Sequence, residues 1–366
     1  MQYIDTPAII IDMEKVEHNL KKYQEIADQS GCNFRPHIKT HKIPRLAKMQ
    51  MDFGAIGICC AKLSEAEMMA ASGIKDIFIA YPIIGKEKIE RFLALSRQIR
   101  MICAVDSLAG ARALSEAARV HEQIAEVRLE IDTGFRRAGI PISSVLEAAR
   151  EIHKLPNLNV TGIFTFKSAT LGGTPTLDLE AAGREEGEML YETAELLRSN
   201  GINIKEVSGG STPTARSVAA CKGVTELRAG TYIFQDAPKL VQKVAEESEC
   251  SAAVKVTVVS TPTPYRAVID GGVKIFAGDT KIGVPPLFLK GYGNVIGHDH
   301  LIFDHMNEEH GVLIAKDVPT GLTVGDTLYI IPNHICTSMN LCDYVYLKEK
   351  DGSYTKTRVE GRGMFY

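Results

Sequence analysis

Met101-Ile102-Cys103-Ala104-Val105-Asp106 is a short apolar run that ends in an acidic residue and is followed by a stretch with helical spacing. An apolar run, a turn and an amphipathic stretch in that order are typical of a βα unit in a parallel sheet. The pattern recurs along the first two-thirds of the chain, where the apolar runs are 34–39, 55–61, 77–82, 101–106, 127–132, 160–166, 205–208 and 227–234. These eight units predict an α/β fold, a closed (β/α)8 barrel of the TIM type.

The chain after about residue 240 has a different pattern. Strand-like runs follow one another there without long helical stretches between them, at 252–260, 266–269, 311–315, 327–331 and 344–347. This pattern predicts a C-terminal β-rich domain after the barrel. We expect the barrel at 12–238 and the β domain at 239–366 together with 1–11. The strand-like run at 8–11 is the open point, because it could pair with either domain.

The composition is that of an ordinary globular protein. Of the 366 residues 45% are hydrophobic and 24% are charged, and 42 Lys and Arg against 45 Asp and Glu give a net charge of −3. No long basic block is present, so nucleic acid is not an expected partner. The N-terminus lacks a signal-peptide pattern and no apolar run approaches ~18 residues, which predicts a cytoplasmic protein with no membrane partner. The eight cysteines form no CxxC pair, and we expect most of them to be reduced and buried.

Basic residues alternate at the end of the first predicted strand. Arg35, His37 and Lys39 fall on one face of an extended run, because successive side chains of a strand point to opposite sides. In barrels of this type the active site lies at the carboxyl ends of the strands. Burial and neighbouring positive charge lower the pKa of a lysine and make its amine suited to Schiff-base formation. The alternative is a strand that ends early and leaves Lys39 and Lys42 in solvent.

Small and hydroxylated residues follow the seventh and eighth predicted strands, as Gly209-Gly210-Ser211-Thr212 and Gly230-Thr231. Backbone N–H groups and hydroxyls at such loops bind phosphate, and barrels commonly hold phosphate in these two loops. Each loop alone is an ordinary turn, but their common position beside Lys39 predicts a phosphate site.

The fifth strand ends in Asp132-Thr133-Gly134, and Arg137 after this turn could donate to a phenolate-like oxygen.

His334 and Cys336 form a possible metal-binding pair near the C-terminus. On an extended segment the two side chains point to the same side, and imidazole with thiolate suits Zn²⁺. Two protein ligands leave coordination positions open for water and substrate, as a catalytic metal requires. The alternative is a packed histidine beside a buried cysteine. His298-Asp299-His300 has the pattern of a solvated turn, and we do not assign it to a metal.

Together these residues resemble the fold-type III pyridoxal-phosphate enzymes, and more closely the branch of D-threonine aldolase and D-serine dehydratase than alanine racemase. The resemblance covers nearly the whole chain. It rests on the segments 5–8, 36–42, 132–137, 210–214, 229–232, 308–311 and 333–336.

The resemblance implies a role for each candidate residue. Lys39 would hold pyridoxal 5′-phosphate as a Schiff base, and Arg137 would lie near the ring oxygen of the cofactor. The phosphate would be held by Gly210, Ser211, Thr212, Gly230 and Thr231. His334 and Cys336 would bind a divalent metal, Zn²⁺ or Mn²⁺. The resemblance also implies a homodimer, with the active site between one barrel and a neighbouring β domain.

Two departures from the resemblance bear on the reaction. After the sixth strand many relatives carry a His-rich or Tyr-containing segment at the cofactor, whereas this chain has Phe164-Thr165-Phe166-Lys167-Ser168-Ala169-Thr170. The chain also lacks the Gly-Tyr-x-Asp-Gly segment that supplies the second base of alanine racemases. A racemase is therefore a weaker alternative, with Tyr265 or His310 as the candidate second base.

A metal beside pyridoxal phosphate is needed when an oxygen on the β-carbon must be activated. The resemblance therefore implies a lyase that acts on a D-3-hydroxy amino acid such as D-serine, D-threonine or D-3-hydroxyaspartate. In this resemblance cysteine as the second ligand is typical of dehydratases and aspartate of aldolases, so Cys336 favours dehydration to a 2-oxo acid and ammonia. Cleavage to glycine and an aldehyde is the alternative. The second domain argues against a non-enzymatic pyridoxal-phosphate carrier.

Overall fold

A computed structural model describes residues 3–366 of the chain. Met1 and Gln2, which the sequence prediction groups with the β domain, lie outside the described residues. The chain forms two compact units. The barrel unit contains Lys22–Lys39, Pro44–Gly230 and Met364–Tyr366, and the sheet unit contains the residues up to Lys21, Thr40–Ile43 and Thr231–Gly363. The boundaries of these units differ from those of the predicted domains, 12–238 and 239–366 with 1–11. The domain ranges remain a prediction.

The strands alternate with helices only in the first part of the chain. Within residues 3–366 they are β1 (Ala8–Asp12), β2 (Asn33–Phe34), β3 (Ile58–Cys60), β4 (Asp76–Pro82), β5 (Arg100–Val105), β6 (Ala125–Asp132), β7 (Ile140–Pro141), β8 (Leu158–Phe164), β9 (Thr170–Leu171), β10 (Thr174–Pro175), β11 (Glu206–Gly209), β12 (Glu226–Leu227), β13 (Ala252–Thr263), β14 (Arg266–Ile269), β15 (Gly293–Val295), β16 (Leu301–Met306), β17 (Gly311–Ala315), β18 (Thr327–Pro332), β19 (Tyr344–Lys348) and β20 (Tyr354–Arg358).

The long helices precede residue 200. The helices of the described residues are α1 (Met13–Gln29), α2 (Pro44–Asp52), α3 (Leu63–Ala71), α4 (Lys86–Ser96), α5 (Leu108–Val120), α6 (Val145–His153), α7 (Leu179–Ser199), α8 (Ala215–Ala219), α9 (Ala237–Val241), α10 (Val273–Phe276) and α11 (Ile335–Leu341). No helix in this part of the chain combines the length and the apolar character needed to cross a membrane.

The barrel unit is built on a parallel sheet with the strand order β2-β12-β11-β8-β6-β5-β4-β3. A parallel bridge between His37 and Cys59 joins the two ends of this order. Each of the eight runs predicted from the sequence contributes one of these strands among the described residues. The predicted α/β fold with an N-terminal barrel and a C-terminal β-rich part is therefore confirmed.

The first predicted strand is wrong at its end. Regular strand structure covers only Asn33–Phe34, although the backbone stays paired as far as His37, whose N–H donates to the Ala229 carbonyl. On the other side the Ile56 N–H donates to the Phe34 carbonyl at 3.0 Å and the Cys59 N–H to the Pro36 carbonyl at 2.8 Å, but Pro36 has no N–H to donate in return, and the pairing there is an isolated His37–Cys59 bridge. A 3₁₀ turn then spans Ile38–Thr40. Lys39 therefore lies on a turn and not on a strand.

Alternation along β4, β5 and β6 fills the barrel interior in layers, because every second side chain of a strand faces the same side. At the amino ends Arg100 forms ion pairs with Asp76 at 3.0 Å and Glu126 at 2.6 Å. Further along lies a small buried cluster that contains Cys59, Phe78, Ile102, Ala104 and Phe164. The larger apolar core packs between the strands and the surrounding helices. Charged side chains can therefore lie inside the barrel, because the main apolar core lies between the strands and the surrounding helices.

The sheet unit is mostly antiparallel, with the strand order β16-β17-β14-β13-β1-β19-β20 and with β18 paired to both β13 and β15. The five runs predicted beyond residue 240 all lie in strands of this unit. β1 pairs antiparallel with β13 and parallel with β19. The opening strand, whose partner was open from the sequence, therefore belongs to this sheet.

Candidate active site

A cavity of about 670 Å³ opens at the carboxyl ends of the barrel strands. Its volume lies in the range of ordinary small-molecule sites, roughly 300–1,000 Å³. Charged side chains from four different strand ends line it, and these are His37, Lys39, Asp106, Glu130, Arg137 and Arg228. Two of the predicted site residues, Lys39 and Arg137, therefore share one cavity.

Lys39 lies on the 3₁₀ turn that follows β2 and is half-buried. Its backbone N–H donates to Nδ1 of His37 at 3.3 Å, which holds the turn beside the strand end. Its Nζ lies 5.4 Å from the ring centroid of Phe166, within cation–π range. The early end of the strand thus does not leave Lys39 in open solvent, as the alternative prediction required.

The turn after β6 is shaped by Asp132. The Asp132 carboxylate accepts the backbone N–H groups of Gly134 at 2.9 Å and Arg136 at 3.0 Å, and Gly134 has φ +112°, which favours glycine. This turn presents Arg137, whose guanidinium carbon lies 4.7 Å from the Phe166 ring centroid. Phe166 therefore contacts both cations, Lys39 and Arg137, that the sequence assigned to the site.

Glu130 is a buried acid on the cavity wall. Burial raises the pKa of this carboxyl, and the nearby Arg137 and Arg228 oppose the increase. Glu130 was not singled out from the sequence. The sequence pattern that could have identified it is the alternation of Glu126, Arg128 and Glu130 on β6, which puts all three side chains on the same face of the strand.

Arg228 is a second cavity residue that had no role in the sequence prediction. Its Nε donates to Oγ of Ser208 at 2.8 Å, and Ser208 Oγ donates to Glu226 at 2.7 Å. The fully buried Glu226 also accepts Nε of Arg35 at 2.8 Å and Nη1 of Arg128 at 2.5 Å. A chain of polar contacts therefore runs from the cavity into the barrel interior.

Glu226 is ionised in this network. Burial by itself raises the pKa of the carboxyl, but Arg128 and Arg35 hold it well below its usual range. Arg35, which the sequence placed on the same face as Lys39, also pairs with Asp76 at 2.5 Å. The positive charge of Arg35 is therefore compensated inside the barrel by Glu226 and Asp76.

The Gly-Ser-Thr loop follows β11 directly and does not line the cavity. The Gly210 N–H donates to the buried carboxylate of Glu186 at 2.8 Å, and the Ser211 N–H donates to Oγ1 of Thr214 at 3.2 Å. Gly210 has φ +77°, and a Cβ there would meet Leu227 Cδ2 at 2.8 Å, so the loop needs glycine at this position. Two backbone donors of the predicted phosphate loop thus fix its shape.

The two predicted phosphate loops lie side by side in the barrel unit. β11 and β12 are paired in parallel, and the Arg228 N–H continues the ladder to the Gly209 carbonyl at 3.1 Å. Gly210, Ser211, Thr212 and Gly230 therefore all follow adjacent strand ends. Thr231 opens the sheet unit, where its Oγ1 lies 3.8 Å from Sγ of Cys336.

His334 and Cys336 lie at the start of a helix, not on an extended segment. β18 ends at Pro332 and α11 begins at Ile335, with His334 as the N-cap residue. The premise that an extended backbone turns both side chains to one side is wrong, yet the two groups are close enough for each to shift the pKa of the other. Thr40, the residue after Lys39 in the chain, lies 3.3 Å from Cys336 through its Oγ1.

The pair shifts the pKa of both members in opposite directions. Burial alone lowers the pKa of His334, but hydrogen bonds and charge from Cys336 and Asp279 raise it to about 9. Burial alone raises the pKa of the Cys336 thiol, but His334 and the Thr40 hydroxyl lower it overall. A thiolate beside a cation is the form in which cysteine binds metals. Within residues 3–366 no group of three or more His, Cys, Asp or Glu side chains is placed to hold a metal ion.

The parallel barrel with its cavity lysine and the mostly antiparallel sheet unit define a protein of the alanine racemase-like fold. Residues 11–238 match the family model for the alanine racemase N-terminal domain, and residues 251–348 match the "Putative serine dehydratase domain" model. The chain therefore belongs to the pyridoxal-phosphate-dependent alanine racemase-like family, in the branch of D-threonine aldolase and D-serine dehydratase.

Individual relatives carry the names of lyases. The chain is 31% identical to a D-threonine aldolase of Arthrobacter sp. over 93% of this chain and 88% of that one. It is 30% identical to D-threo-3-hydroxyaspartate dehydratase of Delftia sp. strain HT23 over 92% of each. A solved cysteine-to-alanine mutant of D-threo-3-hydroxyaspartate dehydratase, described as metal-free, matches with a TM-score of 0.88 and 29% identity over 97% of both chains.

Proposed function

We propose that this chain is a pyridoxal-phosphate- and divalent-metal-dependent lyase of D-3-hydroxy amino acids. The observation that carries the proposal is the thiol of Cys336, which lies 3.3 Å from Oγ1 of Thr40 with His334 two residues before it, in a chain that also places Lys39 on a cavity. The names of the relatives, an aldolase of D-threonine and a dehydratase of D-threo-3-hydroxyaspartate, support the same substrate class.

The cavity residues fit the cofactor. Pyridoxal phosphate is a flat, anionic aldehyde, and the cavity offers the amines of Lys39 and Lys88, two guanidinium groups and the rings of Phe164 and Phe166. Lys39 would hold it and Arg137 would face its ring oxygen. Its phosphate would be held outside the cavity lining, in the loops after β11 and β12, by Gly210, Ser211, Thr212, Gly230 and Thr231. When bound, pyridoxal phosphate supplies an electron sink for the electron pair left at Cα.

The sheet-unit pair fits a divalent metal. A neutral imidazole and a thiolate are the ligands that Zn²⁺ prefers, and Mn²⁺ is the alternative. His334 and Cys336 would hold the ion, which when bound polarises the oxygen on the β-carbon of the substrate. A solved relative described both as a cysteine-to-alanine mutant and as metal-free supports a cysteine ligand in this family.

The side chains of this protein have separate roles in the reaction. Nζ of Lys39 takes the proton from Cα, and Arg137 and Arg228 provide positive charge around the anionic substrate and cofactor. Loss of the β-hydroxyl gives, after water addition, a 2-oxo acid and ammonia. In the alternative the Cα proton stays in place, the β-hydroxyl loses its proton, the Cα–Cβ bond breaks, and Cα takes up a proton to give glycine and an aldehyde. Cys336 favours the first outcome.

The deciding experiment is to identify the products formed from D-threonine with pyridoxal phosphate and a panel of divalent metals supplied. We expect 2-oxobutyrate and ammonia in equal amounts. Glycine and acetaldehyde would establish the aldolase alternative, and L-threonine serves as the stereochemical control. No product from D-threonine, D-serine or D-3-hydroxyaspartate with any metal would contradict the proposal.

Replacing the thiol separates the role of the metal from that of the cofactor. We expect Cys336→Ala to keep the visible absorbance of the lysine-bound cofactor and to lose turnover by at least about 100-fold, since the metal acts on the substrate oxygen. Cys342→Ala is the matched control, because that thiol is also only partly exposed and lies in the same unit. Turnover of Cys336→Ala equal to that of the control would remove Cys336 from the site.

The proposal also includes a cytoplasmic homodimer. All eight cysteines are free among the described residues, which agrees with a reducing compartment. Light scattering coupled to gel filtration should give twice the chain mass of 40.0 kDa. A single-chain mass together with full activity would contradict the dimer.

A further inference from the structure

Asp279 lies beside the proposed metal ligand His334, 55 residues away in the chain. Its Oδ2 is 2.5 Å from Nδ1 of the imidazole. Thr337, one helical turn beyond His334 on α11, donates its hydroxyl to the same Asp279 oxygen at 3.2 Å and lies 3.0 Å from the same ring nitrogen. The three side chains therefore form one closed set of contacts around Nδ1.

The backbone around Asp279 is held in place by packing within the sheet unit. α10 ends at Phe276, and Ala277, with φ +58°, is the C-cap residue and lies two residues before Asp279. Ser338 of α11 donates its hydroxyl to the Phe276 carbonyl at 3.1 Å, with no exposure of the Ser338 side chain. This bond fixes α10 to α11, so the carboxylate and the imidazole have a defined separation.

A carboxylate on Nδ1 determines which ring nitrogen can bind a metal. The carboxylate accepts the Nδ1 proton, and in a neutral imidazole this leaves the lone pair on Nε2. Metal-binding histidines commonly have such a carboxylate partner, which fixes the tautomer and the ring orientation. As a stabilising ion pair alone the contact would be worth little, because both side chains are more than 40% exposed.

We propose that Asp279 is the positioning residue that presents Nε2 of His334 to the divalent metal. This inference rests on the metal site of the proposed function and adds a residue outside the predicted ligand pair. Asp279 contacts neither substrate nor cofactor in this assignment. It acts through the orientation of His334, with the Thr337 hydroxyl restricting the carboxylate.

The test is the Zn²⁺ affinity of the holoenzyme, measured by competition with a chromophoric chelator. We expect Asp279→Ala to weaken Zn²⁺ binding by about 10- to 100-fold. Asp279→Asn retains an acceptor oxygen, so its affinity should lie between those of the alanine variant and the unchanged chain. The visible absorbance of the lysine-bound cofactor should be the same in all three proteins.

The control is another carboxylate–imidazole pair in the sheet unit. Asp304 Oδ2 lies 2.7 Å from Nδ1 of His305, with both side chains exposed, and neither residue belongs to the proposed site. Asp304→Ala should leave Zn²⁺ affinity unchanged. If Asp279→Ala fails to fold, Asp279→Asn and Thr337→Val provide the comparison, and wild-type affinity in both would overturn the inference.

The outcomes separate this inference from the metal site itself. Loss of Zn²⁺ affinity in Cys336→Ala with wild-type affinity in Asp279→Ala would overturn the role of Asp279 and retain the site. Absence of stoichiometric Zn²⁺ and Mn²⁺ binding by the unchanged chain would instead overturn the metal site of the proposed function, and the inference with it.

Discussion

Lys39 is the residue on which the cofactor assignment depends. It lines the cavity, whereas Lys42 donates to Oδ1 of Asn340 at 2.9 Å within the sheet unit. We expect Lys39→Ala to abolish the visible absorbance of the lysine-bound cofactor, because Lys39 is the amine at the strand ends, whereas Lys88, the other lysine on the cavity wall, belongs to α4. Lys42→Ala should retain that absorbance. A spectrum of Lys39→Ala equal to that of the unchanged holoenzyme would refute the assignment.

Glu186 is a residue whose ionisation should be visible in the stability of the fold. The carboxyl is buried beneath the Gly-Ser-Thr loop, and burial raises its pKa from the usual 4.5 to about 7, although the Gly210 N–H and Arg228 oppose the shift. The folded chain therefore holds more protons than the unfolded chain between pH 4.5 and 7. By linkage, the free energy of unfolding contributed by Glu186 falls as the pH rises through this interval.

We expect Glu186→Gln to remove this decline, which amounts to about 3 kcal/mol for a shift of this size. The glutamine oxygen still accepts the Gly210 N–H, so the loop keeps its shape. Urea unfolding at pH 5, 6, 7 and 8, at constant cofactor concentration, measures the difference. Glu188→Gln, on the exposed side of α7, is the control. Parallel pH profiles for the unchanged chain and Glu186→Gln would contradict the prediction.

At the scale of elements, α7 reaches the phosphate loop through two glycines spaced four residues apart. A Cβ at Gly183 would come within 2.6 Å of Ser217, and one at Gly187 within 2.4 Å of Cys221. These glycines therefore let α7 approach α8 closely, which brings Glu186 to the N–H of Gly210. A helix predicted from periodicity alone carries no information about this close approach.

The hairpin of β9 and β10 is anchored by Lys167, a fully buried lysine. Its Nζ donates to the Thr170 carbonyl at 2.5 Å and to the Ala182 carbonyl at 3.4 Å, and it forms an ion pair with Glu185. Glu185 also accepts the Gly172 N–H at 3.2 Å. This lysine stands in the segment where the sequence departs from the family pattern, and here it connects the hairpin to α7.

We expect Lys167→Met to lower the free energy of unfolding by about 1–3 kcal/mol, because buried acceptors lose their donor. Amide hydrogen exchange in 168–178 should accelerate more than elsewhere. Lys154→Met is the control, because the exposed Lys154–Glu151 pair at 2.6 Å should contribute less than about 0.5 kcal/mol. Equal effects of the two substitutions would show that Lys167 does not anchor the hairpin.

At the scale of the barrel unit, Glu226 joins strands that are distant in sequence. It receives Arg35 from the first strand, Arg128 from β6 and Ser208 from β11. Removing one partner of a buried ion pair leaves uncompensated charge in a low-dielectric interior. The network therefore contributes to barrel closure as well as to the position of Arg228 at the cavity.

We expect Glu226→Gln to lower the free energy of unfolding by about 3–5 kcal/mol, because the buried Arg128 loses its counter-charge and the buried Arg35 keeps only Asp76. Chemical unfolding measures the loss. Glu126→Gln, which affects the more exposed pair with Arg100, should cost less than about 1 kcal/mol. A loss of less than about 1 kcal/mol for Glu226→Gln would mean that the buried ion pairs of Glu226 do not stabilise the fold.

The sequence by itself determined the features that depend on local periodicity. The recurring apolar runs specify strands, the intervening spacing specifies helices, and a parallel arrangement places Lys39, Arg137 and the Gly-Ser-Thr loop at strand ends. The motif around His334 and Cys336 also identified the imidazole–thiol pair, although its backbone is a helix start. The strand and helix predictions succeed because each depends on residues close together in the chain, whereas the roles of the site residues stay predictions.

Only the tertiary structure decided which distant residues meet. Glu186 beneath Gly210, the link from Arg228 through Ser208 to Glu226, and Asp279 beside His334 all join different elements. Periodicity gives the face of an element on which a side chain lies but not the partner that faces it. That partner is set by strand register and by the packing of helices on the sheet, which depend on the whole fold.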